Sequence, residues 1–204
     1  MLANKVYVIG LTGGIGCGKS EAAAFLEQLG AVHVDADAIS RELTAPGGAA
    51  LQPIREKFGD GVFAEDGTLD RAALGDVVFE SEANRLALEA IIHPMVQSRA
   101  WNQIESAIHQ GERVIVLNVP LLYETGMDAL CDETWVMSAS EETQLARVMA
   151  RGLTEEQARK RIQNQMSTKE RNSRATRVIN TDRMIERTHA ELQSMYQQIL
   201  KKLD

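Results

Sequence analysis

Val6-Tyr7-Val8-Ile9-Gly10-Leu11-Thr12-Gly13-Gly14-Ile15-Gly16-Cys17-Gly18-Lys19-Ser20 is the stretch on which the fold turns. Val6–Leu11 is a near-continuous apolar run, as expected of a strand buried on both faces. Gly13–Ser20 then matches G-x-x-x-x-G-K-[ST]. The glycines open backbone conformations closed to other residues and let amides approach phosphate oxygens. Successive N–H groups form an anion nest, and the following helix adds its positive N-terminal end. Lys19 supplies a mobile positive charge for the β- and γ-phosphates, and the Ser20 hydroxyl can ligate Mg²⁺. Gly13, Gly14, Ile15, Gly16, Cys17, Gly18, Lys19 and Ser20 are therefore candidate ATP-binding residues, with the backbone amide of Glu21. The Glu21 carboxylate cannot donate to phosphate and would repel it, so its side chain is expected to turn outward.

Working outward, Glu21–Leu29 places Ala22, Phe25, Leu26 and Leu29 on one helical face, and Gly30 is a natural stop. Ala31–Val34 reads as a second strand, ending at Asp35. Strand, loop, helix, strand opens a parallel α/β sheet. Arg113–Val119, Glu133–Met137 and Thr176–Ile179 are the third, fourth and fifth strand candidates. Residues 38–111 are mostly helical in pattern, punctuated by Pro46-Gly47-Gly48 and Phe58-Gly59-Asp60-Gly61. That length exceeds a simple crossover and reads as an inserted helical subdomain. Ser138 and Glu141, Thr154 and Gln157, and Ser167 and Glu170 stand at capping-box spacing, so short helices should fill the gap between the fourth and fifth strands. One domain over 1–204 is expected: a core of about 1–37, 112–138 and 173–204, the subdomain of about 38–111, and a second helical segment of about 139–172.

The 204 residues are 44% hydrophobic and 25% charged, ordinary for a soluble globular chain. Cys17 and Cys131 are the two cysteines, which fits a reducing compartment better than a disulfide scaffold. Cys17 sits in an amide-rich, lysine-flanked loop that favours thiolate; a small filler is its simpler role. The N-terminal apolar run stops at glycines, and no stretch approaches a membrane span, so a cytoplasmic protein is expected. The net charge of −7 argues against general nucleic-acid binding. Arg147 to Arg177 nevertheless holds nine Lys/Arg against three Asp/Glu. In isolation such a segment is a solvated, salt-bridged helical face; beside a phosphate loop it suggests a polyanion site.

Val34-Asp35-Ala36-Asp37 puts two carboxylates at the end of the second strand, where open α/β sheets bind ligands. Either carboxylate could orient or deprotonate an acceptor hydroxyl, and either could hold the metal's water shell. Asp37 also suits the N-cap of a helix starting near Ala38, and spacing leaves these readings open. The third strand ends at Asn118, which can ligate but brings no charge. A metal carboxylate is then sought at Asp35 or Asp37.

These residues together resemble the dephospho-CoA kinase family. The resemblance runs through LTGGIGCGKS, VDADAISRE, APGGAAL, EKFGDGVF, DGTLDRAAL, LEAIIHPMV, VPLLYETGM and RVMARGLTEEQARKRIQNQ, in order and over nearly the whole chain. It implies a P-loop kinase-like three-layer α/β fold with a parallel five-stranded sheet, an inserted helical acceptor-binding subdomain and a helical lid. It implies transfer from MgATP to the ribose 3′-hydroxyl of dephospho-CoA, the last step of coenzyme A synthesis. Asp37 would be the base and a metal-side carboxylate. Asp35 and Arg41 would line the acceptor site, and His93 would sit in the acceptor subdomain. Pro120, Leu121, Leu122 and Glu124 would lie under the acceptor's adenosine. Arg147, Arg151 and Arg161 would be lid arginines, with Arg147 catalytic beside Lys19. Without the resemblance, His93 would be a packed histidine before a helix-starting proline, and Leu121 and Leu122 core residues. Asn118 and the late VINTDR depart from the family's usual pattern, so either Asn180 or Thr181 is left to meet the adenine. The competing readings are another small P-loop kinase, acting on a nucleoside monophosphate, shikimate or gluconate, and a nucleotide-switched binding protein. No guanine-reading Asn-Lys-x-Asp is present for a GTP switch.

Overall fold

The computed structural model describes residues 6–204. Five strands form one sheet: β1 (Tyr7–Gly13), β2 (Val32–Asp35), β3 (Val114–Asn118), β4 (Glu133–Ser138) and β5 (Arg177–Asn180). The order across the sheet is β2-β3-β1-β4-β5. β1 pairs in parallel with both β3 and β4, and β4 with β5. The connection after β1 leaves toward β2, while that after β4 leaves toward β5, so the order reverses beside β1. Ligands of open parallel sheets bind at that reversal, past the carboxyl ends of the strands, and the glycine-rich loop begins there. The α/β fold with a parallel five-stranded sheet is the one expected from sequence.

Alternation on the strands explains the core. Ile9, Leu11, Val114, Val116, Trp135, Met137 and Ile179 turn toward α1 (Lys19–Gln28) and α9 (Ile185–Leu203), joining Leu26, Leu192 and Ile199. The intervening Val8, Ile115, Leu117 and Val136 are buried as well. Both faces are covered, which is why these strands read as apolar runs rather than as alternating ones.

Two compact units divide the chain, one ending at Val34 and resuming over Ile104–Asp204, the other Asp35–Gln103. The second unit holds α2 (Ala36–Leu43), α3 (Leu51–Phe58), α4 (Arg71–Glu80) and most of α5 (Glu82–His109). Its own core gathers Ala50, Ile54, Val62 and Leu74 with partly buried neighbours such as Leu88, Ile91 and Ile92. The first unit also carries α6 (Glu141–Met149), α7 (Glu155–Gln163) and α8 (Thr168–Arg174) between β4 and β5.

Three sequence expectations about helix starts need correcting. α6 is capped by Ser140, which accepts from Thr143 N, so Ser138 ends β4 instead. Asp35, not Asp37, caps α2. Pro94 lies inside α5 and starts no helix. Thr154 and Gln157 do form the reciprocal capping box, and Ser167 caps α8 through Glu170 N.

At the start of β4 the buried Glu133 accepts from Arg177 Nε at 2.7 Å, Trp135 Nε1 at 3.0 Å and Lys202 Nζ at 3.1 Å. Burial alone would raise its pKa, but these bonds, with Tyr7, hold it at about 2 against an ordinary 4.5. The folded value lies below the unfolded one. The stabilisation is therefore complete above the unfolded value and is lost as pH falls through the folded one. We predict a loss of roughly 3 kcal/mol from this group between those limits. Urea unfolding of the parent and Glu133→Gln across that range checks it; equal pH slopes in the two proteins would contradict it.

Candidate active site

β1 delivers the chain into the glycine-rich turn, and α1 leaves from it. Gly16 and Gly18 have φ of +78° and +81°, a region that strains any residue with a Cβ. A Cβ on Gly16 would also stand 2.8 Å from the Gln144 carbonyl oxygen. Gly18 is the N-cap of α1 and offers no side-chain cap. By contrast α2, α4, α6, α7 and α8 are closed by Asp35, Asp70, Ser140, Thr154 and Ser167. The start of α1 thus keeps the anion-favouring character of a helix N-terminus.

The rest of the first unit anchors this loop. Arg147, in the last turn of α6, donates from Nη1 to Gly16 O at 3.1 Å and to Thr181 Oγ1 at 3.0 Å. Its Nη2 donates to Thr181 O at 2.7 Å. The Thr181 hydroxyl donates in turn to Cys17 O at 3.2 Å. Gln165, between α7 and α8, accepts from Ile15 N at 2.8 Å. Arg171 is only 3% exposed. Its Nη1 would lie 3.3 Å from a Cβ on Gly14, and its Nε has no hydrogen-bond partner among the described residues. That guanidinium adds positive potential behind the loop. Burial pushes the Cys17 thiol up, so Cys17 fills space in the loop and the thiolate expected from its neighbours is not favoured.

Lys19 Nζ donates to Asn118 Oδ1 at 2.6 Å. Asn118 is 4% exposed at the end of β3, and its Nδ2 lies 3.1 Å from His33 Nε2. Donation from Asn118 leaves the ring proton on His33 Nδ1, which faces Glu27 at 3.8 Å. Asn118 positions the lysine without neutralising it, as a carboxylate there would.

A cavity of about 220 Å³ opens beside the loop, lined by Gly18, Met137, Arg147, Arg151, Thr181 and His189 among others. His189 stacks on Phe25 at 3.9 Å. Its Nε2 lies 3.2 Å from Glu21 Oε1, so the Glu21 side chain turns toward α9, and it lines the same cavity. Asn180 is exposed and spends its Oδ1 on Asp182 N, whereas Thr181 lines the cavity. Arg161 is exposed on α7. Leu122 is fully buried, while Leu121 and Glu124 are exposed. The Pro120 carbonyl accepts from Thr12 Oγ1 at 3.1 Å.

In the second unit Asp35 Oδ1 accepts from Asp37 N at 2.8 Å and Ala38 N at 3.3 Å. Its Oδ2 stands 4.0 Å from Arg41. Asp37 lies in the first turn of α2 with its side chain exposed. The pair is therefore not extended, and its two carboxylates do different work. His93, half-buried in α5, lines a cavity of this unit.

Residues 7–187 match the family model for dephospho-CoA kinase. A dephospho-CoA kinase of Symbiobacterium thermophilum is 46% identical over 93% of this chain and 80% of its own. Another, of Bacillus licheniformis, is 44% identical over 92% and 94%. The crystal structure of Thermus thermophilus TT1252 superposes with a TM-score of 0.80 at 31% identity, covering 98% of this chain and 99% of that one. The chain belongs to the dephospho-CoA kinase family. Membership makes it a kinase of coenzyme A biosynthesis, and neither the other small-molecule kinases nor a nucleotide switch is favoured. Among the described residues no helix is long and apolar enough to cross a membrane.

His33, Gln165 and Arg171 were not singled out by the dephospho-CoA kinase resemblance or by any motif. We predict that Gly16→Ala weakens ATP binding by about tenfold or more, through strain and the clash with Gln144. Calorimetric titration with ATP checks it; unchanged affinity would contradict it.

Proposed function

We propose that this kinase transfers the γ-phosphoryl group of ATP to the ribose 3′-hydroxyl of dephospho-CoA, giving coenzyme A and ADP. The observation that carries the nucleotide half is the anchored loop Gly13–Ser20, with Lys19 held by the neutral Asn118. Gly13–Ser20 and the Glu21 amide take the ATP phosphates. The cavity at Thr181 and Arg151 takes the base of the nucleotide, with Thr181 rather than Asn180 beside the adenine.

Phosphoryl transfer runs through a loose transition state, so positioning and charge neutralisation supply most of the catalysis. Lys19 follows charge onto the β- and γ-phosphates. Arg147 holds the loop backbone in its binding shape through Gly16 and Thr181, and Arg171 adds charge from behind. Arg151 and Arg161 are the lid cations left to meet the phosphates and the acceptor. Among the described residues no cluster of three or more His, Cys, Asp or Glu could hold a metal ion. The exposed Ser20 offers the hard oxygen donor that Mg²⁺ accepts alongside phosphates and waters. Mg²⁺ would neutralise phosphate charge there.

Asp37 orients the 3′-hydroxyl and accepts its proton late in the transfer. Its exposed carboxylate favours this role over Asp35, which is committed to the α2 cap and to Arg41. Arg41 and His93 in the second unit, and Pro120, Leu121 and Glu124 in the first, are acceptor-side residues in this reading; Leu122, fully buried, is a core residue and not a contact for the acceptor.

Coupled ADP release with dephospho-CoA, set beside shikimate, gluconate and nucleoside monophosphates, tests the reading. Release with dephospho-CoA is expected; release only with another acceptor would overturn it. Asp37→Asn is expected to lower kcat by roughly 10²–10⁴-fold with little change in ATP affinity. Comparable turnover of mutant and parent would remove Asp37 from the mechanism.

A further inference from the structure

The second unit contains a cavity of about 290 Å³ that no phosphate chemistry explains. Its wall is apolar, from Ile54, Leu69, Leu74, Leu88 and Ile92. Thr44, at one side, is already satisfied: its hydroxyl donates to Ser40 O at 2.8 Å and accepts from Arg71 Nη2 at 2.7 Å. Glu89 is paired with Arg85 at 2.6 Å. The cavity therefore presents a mainly apolar wall, with Ser40, His93, the paired Glu89 and the exposed Arg71 as its other polar groups.

Gly75 also lines this cavity. It lies within α4, and a Cβ built there meets nothing within 4 Å. Glycine inside a helix costs about 1 kcal/mol relative to alanine. No packing partner and no positive φ in this protein requires it. A close-lying ligand would require it, because any side chain there would project into the cavity.

We propose that this cavity holds the pantetheine arm of the acceptor, an inference that rests on the kinase reading above. The arm is uncharged, with a branched apolar segment, amides and a thiol, which matches an apolar wall better than a phosphate or a sugar does. A volume near the lower end of small-molecule pockets suits part of a ligand. Asp37, Ser40 and Thr44 follow one another on one face of α2, and Asp37 and Thr44 are about 10 Å apart along the axis. That separation matches a ribose at Asp37 and an arm that begins beyond the pyrophosphate. The adenine, joined directly to the ribose, stays nearer. Arg71 at the rim complements the pyrophosphate.

Gly75→Leu fills the open space and replaces a poor helix former, so it should melt no lower than the parent. Gly75→Ala adds only a Cβ and is expected to raise the KM for dephospho-CoA by a smaller factor than Gly75→Leu does. For Gly75→Leu the KM for dephospho-CoA is expected to rise about tenfold or more, with the KM for ATP and kcat within about twofold. The inhibition constant of adenosine against dephospho-CoA, which reports binding without the arm, is expected to stay unchanged. An unchanged KM for dephospho-CoA in Gly75→Leu would overturn the assignment. An adenosine constant that rises by the same factor would place the nucleoside in the cavity and overturn it too. A parent that turns over no dephospho-CoA would defeat the kinase reading itself, and this inference with it.

Discussion

A phosphate loop must turn its N–H groups toward the ligand, and the carbonyls that consequently turn inward each need a donor. Here the donors can be named. Gly14 O receives Cys17 N, Gly16 O receives Arg147, Cys17 O receives the Thr181 hydroxyl, and Gly18 O receives Ala22 N. Two of the four come from side chains more than a hundred residues away. The nest is thus built by β1 and α1 but held in shape by α6 and by the turn after β5. Those elements must be in place before the loop can bind phosphate.

The same requirement explains what could be read from the sequence. The apolar run before Gly13 and the glycine spacing are local, and both predicted their structure correctly. The role of Arg147 in holding Gly16 is not local, and no spacing rule could show it. His33 alternates on a short strand and looks like any half-buried polar residue until Asn118 meets it across the sheet. Which of Asp35 and Asp37 caps α2 was not legible for a different reason. Both stand near the helix start, and either could have capped it; the strand runs one residue further than its apolar pattern suggests, which makes Asp35 the cap. Ser138 misled for another reason: Glu141 completes a capping-box spacing with it, whereas Ser140, the actual cap, is followed three residues on by Thr143 and shows no such signature. Pro94 failed because a long amphipathic helix tolerates an interior proline when its neighbours are packed.

Charge completes the account. A chain of net −7 concentrates Lys19, Arg147, Arg151 and the buried Arg171 around one loop, and the Asn118 amide oxygen accepts from the lysine. These cations raise the positive potential at the loop. Acidic groups close to it are turned elsewhere, Glu21 toward His189 and Asp182 toward Ser140.

Phosphorus NMR of the products formed from ATP and dephospho-CoA tests the central claim most directly. The account predicts a new phosphomonoester resonance, coupled to the ribose 3′ proton and growing in step with ADP. Inorganic phosphate released in step with ADP, with the dephospho-CoA spectrum unchanged, would contradict it.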